Sequence, residues 1–288
     1  MNKVVYFADA TCDLPVELIK QHNVQIIGLR YNIGDEDGWF TTANQKQLDD
    51  YYGKMRKGET ASTSLVLYDD ATEAFEPFFK EGYDIIHLGL SSGLARTWEN
   101  ANNAGNTLAE KYGRKFYAPD TKCVTAMHVP ILKHLVGLVE KYKSDSDGFE
   151  KIIKEFPDFY NRIKGYFTVE DLKYLHKSGR LSGASKTIGG ILNLKPIIKV
   201  DEDGKLNSFA KKTGRLQSIQ FLASQVSKID PDYPEIYILH ADCPNDAKLL
   251  EQKVQEHVID ATTVIIPMGF IICAHTGPGT LGLGFVSK

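Results

Sequence analysis

The chain has 288 residues, about two domains' worth of sequence. Apolar residues at 42% and charged residues at 25% fit an ordinary water-soluble globular protein with ample chain to bury a core. Lys plus Arg number 34 against 37 Asp plus Glu, and the net charge of −3 excludes a dedicated nucleic-acid binder.

Met1 to Ala8 runs straight into the strand-like Lys3–Ala8 (KVVYFA), with no signal-peptide pattern. Pro15–His22 follows as a short helix and Val24–Tyr31 (VQIIGLRY) as a second strand. Tyr83–Gly89 is a third strand, with a helix from Leu94 to Tyr112 behind it. Arg114–Ala118 is a fourth strand, and a further helix carries apolar residues at Val129, Leu132, Val136 and Val139. This alternation predicts a mainly parallel sheet in an N-terminal α/β lobe, residues 1–162.

A second α/β lobe, residues 163–288, opens with Ile163–Thr168. Its further strands are Pro196–Val200, Leu206–Ala210, Glu235–Leu239 and Thr262–Pro267, with helices over Gln217–Lys228 and Asn245–Val258. Asp203-Gly204 between two apolar runs signals a β-hairpin, so the second sheet is expected to be mixed. The longest apolar run, Val264–Ala274, is broken by Pro267 and Gly269 and is too short to span a bilayer. Cys12, Cys123, Cys243 and Cys273 are scattered, a pattern that suits a reduced cytoplasmic protein.

Gly89-Leu90-Ser91-Ser92-Gly93 fits G-x-S-x-G between a strand and a helix. It supports three readings. Ser91 or Ser92 caps the helix, or the pair helps a helix N-terminus hold an anion, or Ser91 is a nucleophile with His275 as base and Asp242 as orienter. Ala61-Ser62-Thr63-Ser64 reads as a solvated turn whose hydroxyls could also donate to an anionic head group. Gly277-Pro278-Gly279-Thr280-Leu281-Gly282 matches G-x-G-x-x-G, but the six residues after it leave no room for a dinucleotide fold. His275–Gly284 is therefore read as a loop that approaches something closely, with His275 at the end of a strand. Ser178–Ser182 is a turn whose Arg180 either binds an anion or ties the lobes together. Lys186-Thr187 lacks the glycines of a nucleotide loop, and His240 with Asp242 has no further ligand at metal spacing, so neither cofactor nor metal is expected.

Several ordered stretches resemble the DegV family of bacterial fatty-acid-binding proteins. Asp9-Ala10-Thr11-Cys12-Asp13-Leu14-Pro15 resembles the family opening D-S-T-x-D-L-P. Thr63-Ser64 resembles the start of T-S-x-P-S, and Ser91-Ser92-Gly93-Leu94 that of S-S-x-L-S-G. Asp171–Leu175 with Ser178–Ser182 resembles D-L-x-Y-L…G-G-R-I-S, Ile191–Ile198 resembles L-L-N-I-K-P-I-L, and His275–Gly279 matches H-x-G-P-G.

The resemblance implies a two-lobed α/β protein that is a carrier, not an enzyme. A long-chain fatty acid would lie between the lobes, with its carboxylate presented to a separate fatty acid kinase subunit. It places Thr63, Ser64, Ser91, Ser92, Gly93, His275, Thr276 and Gly277 around the ligand, and Arg180 and Lys212 where the kinase would dock. Burying an acyl chain is worth about 0.8 kcal/mol per methylene, and hydroxyl donors offset the cost of burying the carboxylate. Val66, Leu67, Arg96 and Lys212 depart from the family pattern. Arg96 puts a charge on the first turn of the helix expected to face the ligand. That suggests a further alternative, a divergent pocket for another anionic lipid.

Overall fold

The computed structural model describes residues 1–182 and 193–288. Lys186-Thr187 and the start of the Ile191–Ile198 motif lie outside the described residues.

Four parallel strands form the first sheet in the order β2-β1-β6-β7. They are β1 (Val4–Asp9), β2 (Gln25–Ile27), β6 (Asp84–Leu88) and β7 (Phe116–Tyr117). The central β6 is buried at every residue, as a strand covered on both faces must be. Helices α1 (Val16–Gln21), α3 (Tyr68–Lys80), α4 (Thr97–Tyr112), α5 (His128–Tyr142) and α6 (Gly148–Tyr160) accompany it. Pro157, which interrupts the apolar pattern, lies inside α6.

The run Val24–Tyr31 is two strands instead of one. It breaks at Gly28, where a Cβ would lie 1.9 Å from the Trp39 indole nitrogen. Past that point β3 (Leu29–Ile33) leaves the parallel sheet and pairs antiparallel with β4 (Glu36–Phe40) and β5 (Ala61–Thr63). The hydroxyl cluster expected as a solvated turn is thus largely strand β5. Between them α2 (Gln45–Arg56) starts at a capping box: Asn44 Oδ1 accepts from Gln47 N–H at 3.0 Å and Asn44 N–H donates back to Gln47 Oε1.

Seven strands form the third sheet, in the order β13-β12-β14-β8-β10-β11-β9. They are β8 (Ile163–Thr168), β9 (Leu181–Ser182), β10 (Leu194–Val200), β11 (Leu206–Thr213), β12 (Glu235–His240), β13 (Thr262–Pro267) and β14 (Leu281–Val286). All strands of the first two sheets precede Arg162 and all of the third follow it. The sheet is mixed, and β10 and β11 form the hairpin expected around Asp203-Gly204, with Gly204 at φ +72°. Helices α7 (Lys173–Ser178), α8 (Arg215–Ser224), α9 (Pro244–Gln255) and α10 (Phe270–Thr276) complete the lobe.

The segment His275–Gly284 is not a loop. His275 lies in the last turn of α10, and β14 follows as a central strand paired with both β8 and β12. Its sequence Leu-Gly-Leu-Gly-Phe-Val alternates, and the period of two decides the faces. Leu281, Leu283 and Phe285 join the core beneath α8 and α9. Gly282 and Gly284 turn toward the first lobe, beside Phe167 and Met127.

Candidate ligand-binding site

A narrow cavity of about 120 Å³ lies between the first lobe and the glycine face of the seven-stranded sheet. Its walls are mostly apolar, with Leu29, Leu90, Leu94, Leu239, Ile271 and Phe167 among them. The loops after β1 and β6 contribute Thr11 and Leu90 at the carboxyl ends of neighbouring parallel strands. Strand order reverses there, the usual place for a ligand in an open α/β sheet.

Polar groups collect at one end, where Thr63, Ser64, His275, Thr276 and Arg180 all line the cavity. Thr63 Oγ1 and His275 Nε2 share a hydrogen bond of 2.7 Å, from β5 of the first lobe to α10 of the second. Ser64 Oγ accepts from Arg30 N–H and donates to Leu65 O. Burial, with a smaller contribution from the nearby positive charge of Arg180, pushes the His275 imidazole down to about 4. The ring is therefore neutral at pH 7. Arg180 Nε donates to Leu94 O at 3.2 Å, so this guanidinium spans the two lobes at the same end. The arrangement offers hydroxyls, an imidazole and one cation to a buried anion whose tail runs along apolar walls.

The Ser91–Gly93 segment takes another position. Ser91 Oγ is fully buried and donates to Gly204 O at 2.9 Å while accepting from Gly93 N–H. Gly93 packs against the hairpin tip, and Ser92 is held by Asp120 and Lys122. None of the three lines the cavity. Helix α4 starts only at Thr97, five residues past Ser92, so neither serine caps it and its N-terminus does not stand behind them. Gly277, at φ +84°, closes α10 against Tyr174 and is also outside the lining.

The hydrolase triad is not assembled, because each member is bonded elsewhere. Ser91 holds Gly204, His275 holds Thr63, and the Asp242 carboxylate is paired with Arg56. Arg96 departs from expectation too. Its side chain is 74% exposed and paired with Glu99 at 2.9 Å, so it adds no charge to the cavity. Lys212 lies on β11 with Nζ 4.1 Å from the Phe221 ring centroid, away from the cavity lining. Val66 is buried, its N–H donating to Thr97 Oγ1, whereas Leu67 is exposed. Among the described residues no cluster of three or more His, Cys, Asp or Glu could hold a metal, and no helix is long and apolar enough to cross a membrane.

Sequence reasoning missed Thr11, Met127 and Tyr237 as cavity residues. The alternating glycines of β14 were the available signal, since they bare one face of a central strand.

The DegV family profile, described as one of uncharacterised proteins, matches residues 3–288. The chain belongs to the DegV family. A DegV domain-containing protein of Clostridium perfringens is 32% identical over 99% of this chain and 98% of its own length. A fatty-acid-binding DegV protein of Streptococcus agalactiae superposes with a TM-score of 0.85 at 24% identity, covering 100% of both chains. A stearic-acid-binding protein of Eubacterium ventriosum gives 0.84 at 20% identity, over 100% of this chain and 99% of that one. These DegV structures share the mixed α/β fold described above.

Proposed function

We propose that this DegV-family protein is a non-enzymatic carrier that holds one long-chain fatty acid between its lobes, residues 1–162 and 163–288. The observation that carries the reading is the apolar cavity ending at the Thr63–His275 pair, with Ser64, Thr276 and Arg180 around it. Stearic-acid binding by the Eubacterium ventriosum neighbour supports the ligand class. The carboxylate sits among these donors, and the acyl chain lies over Gly282 and Gly284. Ser91, Ser92 and Gly93 act one step removed, by holding the β10–β11 hairpin over the cavity. Gly277 acts by ending α10 so that His275 and Thr276 face inward.

The finer part of the proposal is presentation of the carboxylate, at the mouth marked by Arg180, to a separate kinase in the cytoplasm. Lys212, half-buried on β11 near the exposed Phe209, offers a second basic contact for that partner.

The test is fatty-acid titration of delipidated wild type, Thr63→Val and His275→Phe. A hydrogen bond to a charged group is worth about 1.5–3 kcal/mol, so each variant is expected to bind about 10- to 100-fold more weakly. Wild-type protein that takes up no fatty acid refutes the proposal.

A further inference from the structure

The polar end of the cavity is fixed by α10, and the opposite end is set by what stands further along the same strands. Gly165, Gly284 and Tyr237 are cross-strand partners in one row across β8, β14 and β12. Counting from Thr280, beside α10, to Gly284 along β14 gives about 13 Å at the usual rise of a strand. At that distance the floor changes from glycine to the ring of Tyr237, which is 1% exposed. Met127 roofs the same spot: a Cβ on Gly165 would lie 2.5 Å from its Sδ, and one on Gly284 3.2 Å from its Cγ.

Tyr237 belongs to the buried core yet also borders a second space. A second, more open groove of about 420 Å³ begins there, lined by Pro130, Leu138, Phe159, Tyr233 and Val286 as well as Tyr237 itself. Tyr237 lines both spaces, so its ring is the partition between them. The ring is held from the groove side. Its hydroxyl donates to Glu235 Oε2 at 2.6 Å, Glu235 pairs with Lys133 at 2.6 Å, and Lys133 Nζ lies 5.6 Å from the ring centroid. Glu235 and Lys133 are each somewhat over a third exposed, so water can replace their bonds when the ring turns.

We infer that Tyr237 is a displaceable end wall that sets the acyl chain length, and that chains longer than the cavity turn it aside and run into the groove. Met127 is the softer part of the same wall, its flexible thioether adjusting to the last carbons. The inference rests on the carrier reading and names the residue that selects among its ligands.

The experiment loads delipidated full-length protein with an equimolar mixture of saturated acids from myristic to behenic and reads the bound distribution by native mass spectrometry. Tyr237→Leu opens the partition and is expected to favour longer chains. Two further buried methylenes raise the ratio of the longer to the shorter acid about fifteenfold. Gly165→Ala pushes the Met127 thioether into the cavity and is expected to shift the distribution toward shorter acids. An unchanged distribution in either folded variant overturns the inference. Gly165→Ala displaces only a flexible side chain and keeps the test alone if Tyr237→Leu does not fold. Wild-type protein that binds none of the acids overturns the carrier reading instead, so the two failures are distinct.

Discussion

His87 is the sharpest electrostatic anomaly in the first lobe, and it makes acid stability testable. It lies in the middle of the all-buried strand β6, fully buried, with both ring nitrogens lacking a partner among the described residues. Phe75 packs edge-on at 5.5 Å. Burial lowers its pKa from 6.5 to about 4; Asp9 opposes that fall and His128 adds to it. The unfolded chain therefore takes up a proton near pH 6.5, while the folded chain resists until about 4. The stability this contributes is fully present above about pH 6.5 and is lost as pH falls toward 4. The gap is worth about 3 kcal/mol for His87, of which about 2 kcal/mol disappears between pH 6.5 and 5. Carboxylates held low by ion pairs, such as Glu76 at about 2, lose their contribution below pH 4.5, outside this window, whereas the Asp13 carboxyl, pushed up by burial, works against the imidazoles equally in wild type and variant. His128, His134, His240 and His275 are displaced in the same direction and steepen the slope. Urea unfolding followed by circular dichroism at several pH values measures it. His87→Leu is expected to be near neutral at pH 7, since it removes two unpartnered nitrogens, and to flatten the profile between pH 6.5 and 5 by about 2 kcal/mol. Parallel profiles for wild type and variant would refute the reasoning.

Two more outcomes follow from the hairpin contact and one from helix α5. A Cβ on Gly93 would stand 2.4 Å from Asp203 O and 2.8 Å from Gly204 C, both backbone atoms, so Gly93→Ala is expected to destabilise by about 1–3 kcal/mol. Gly137→Ala in α5 meets nothing within 4 Å and is expected to stabilise by about 0.5–1 kcal/mol, both read by urea unfolding. Ser91→Ala loses the bond to Gly204 O and is expected to cost about 1 kcal/mol of stability, while fatty-acid affinity falls less than about threefold. A large affinity loss with unchanged stability would return Ser91 to the ligand.

Buried parallel strands were legible as apolar runs, and β13 was bounded at its observed residues, Thr262–Pro267. The Asp203-Gly204 hairpin was legible because its turn chemistry is local. Strand β14 was not, because its glycines read as a loop; only the partners on both sides, β8 and β12, make an Leu-Gly-Leu-Gly run a central strand. The break at Gly28 was hidden for the same reason, since the steric demand comes from Trp39 on another strand. At the site, Thr63, Ser64, His275 and Thr276 stand out in the sequence as motif residues and line one cavity. Ser91, Ser92 and Gly93 carry an equally clear motif, but a serine's partner is a matter of tertiary contact, and theirs are the hairpin and Asp120.

The position of β14 also bears on how the second lobe is assembled. It is the last strand in chain order, yet it lies between β8 and β12 in the middle of the seven-stranded sheet. Until those residues emerge from the ribosome, β8-β10-β11-β9 and β12-β13 are separate pieces, each with an open edge. The lobe thus completes its sheet late and through contacts of long sequence separation, which slows folding and lengthens exposure to strand-edge association. The same closing strand lays down the floor of the cavity, so a nascent chain has no complete cavity until β14 has been made.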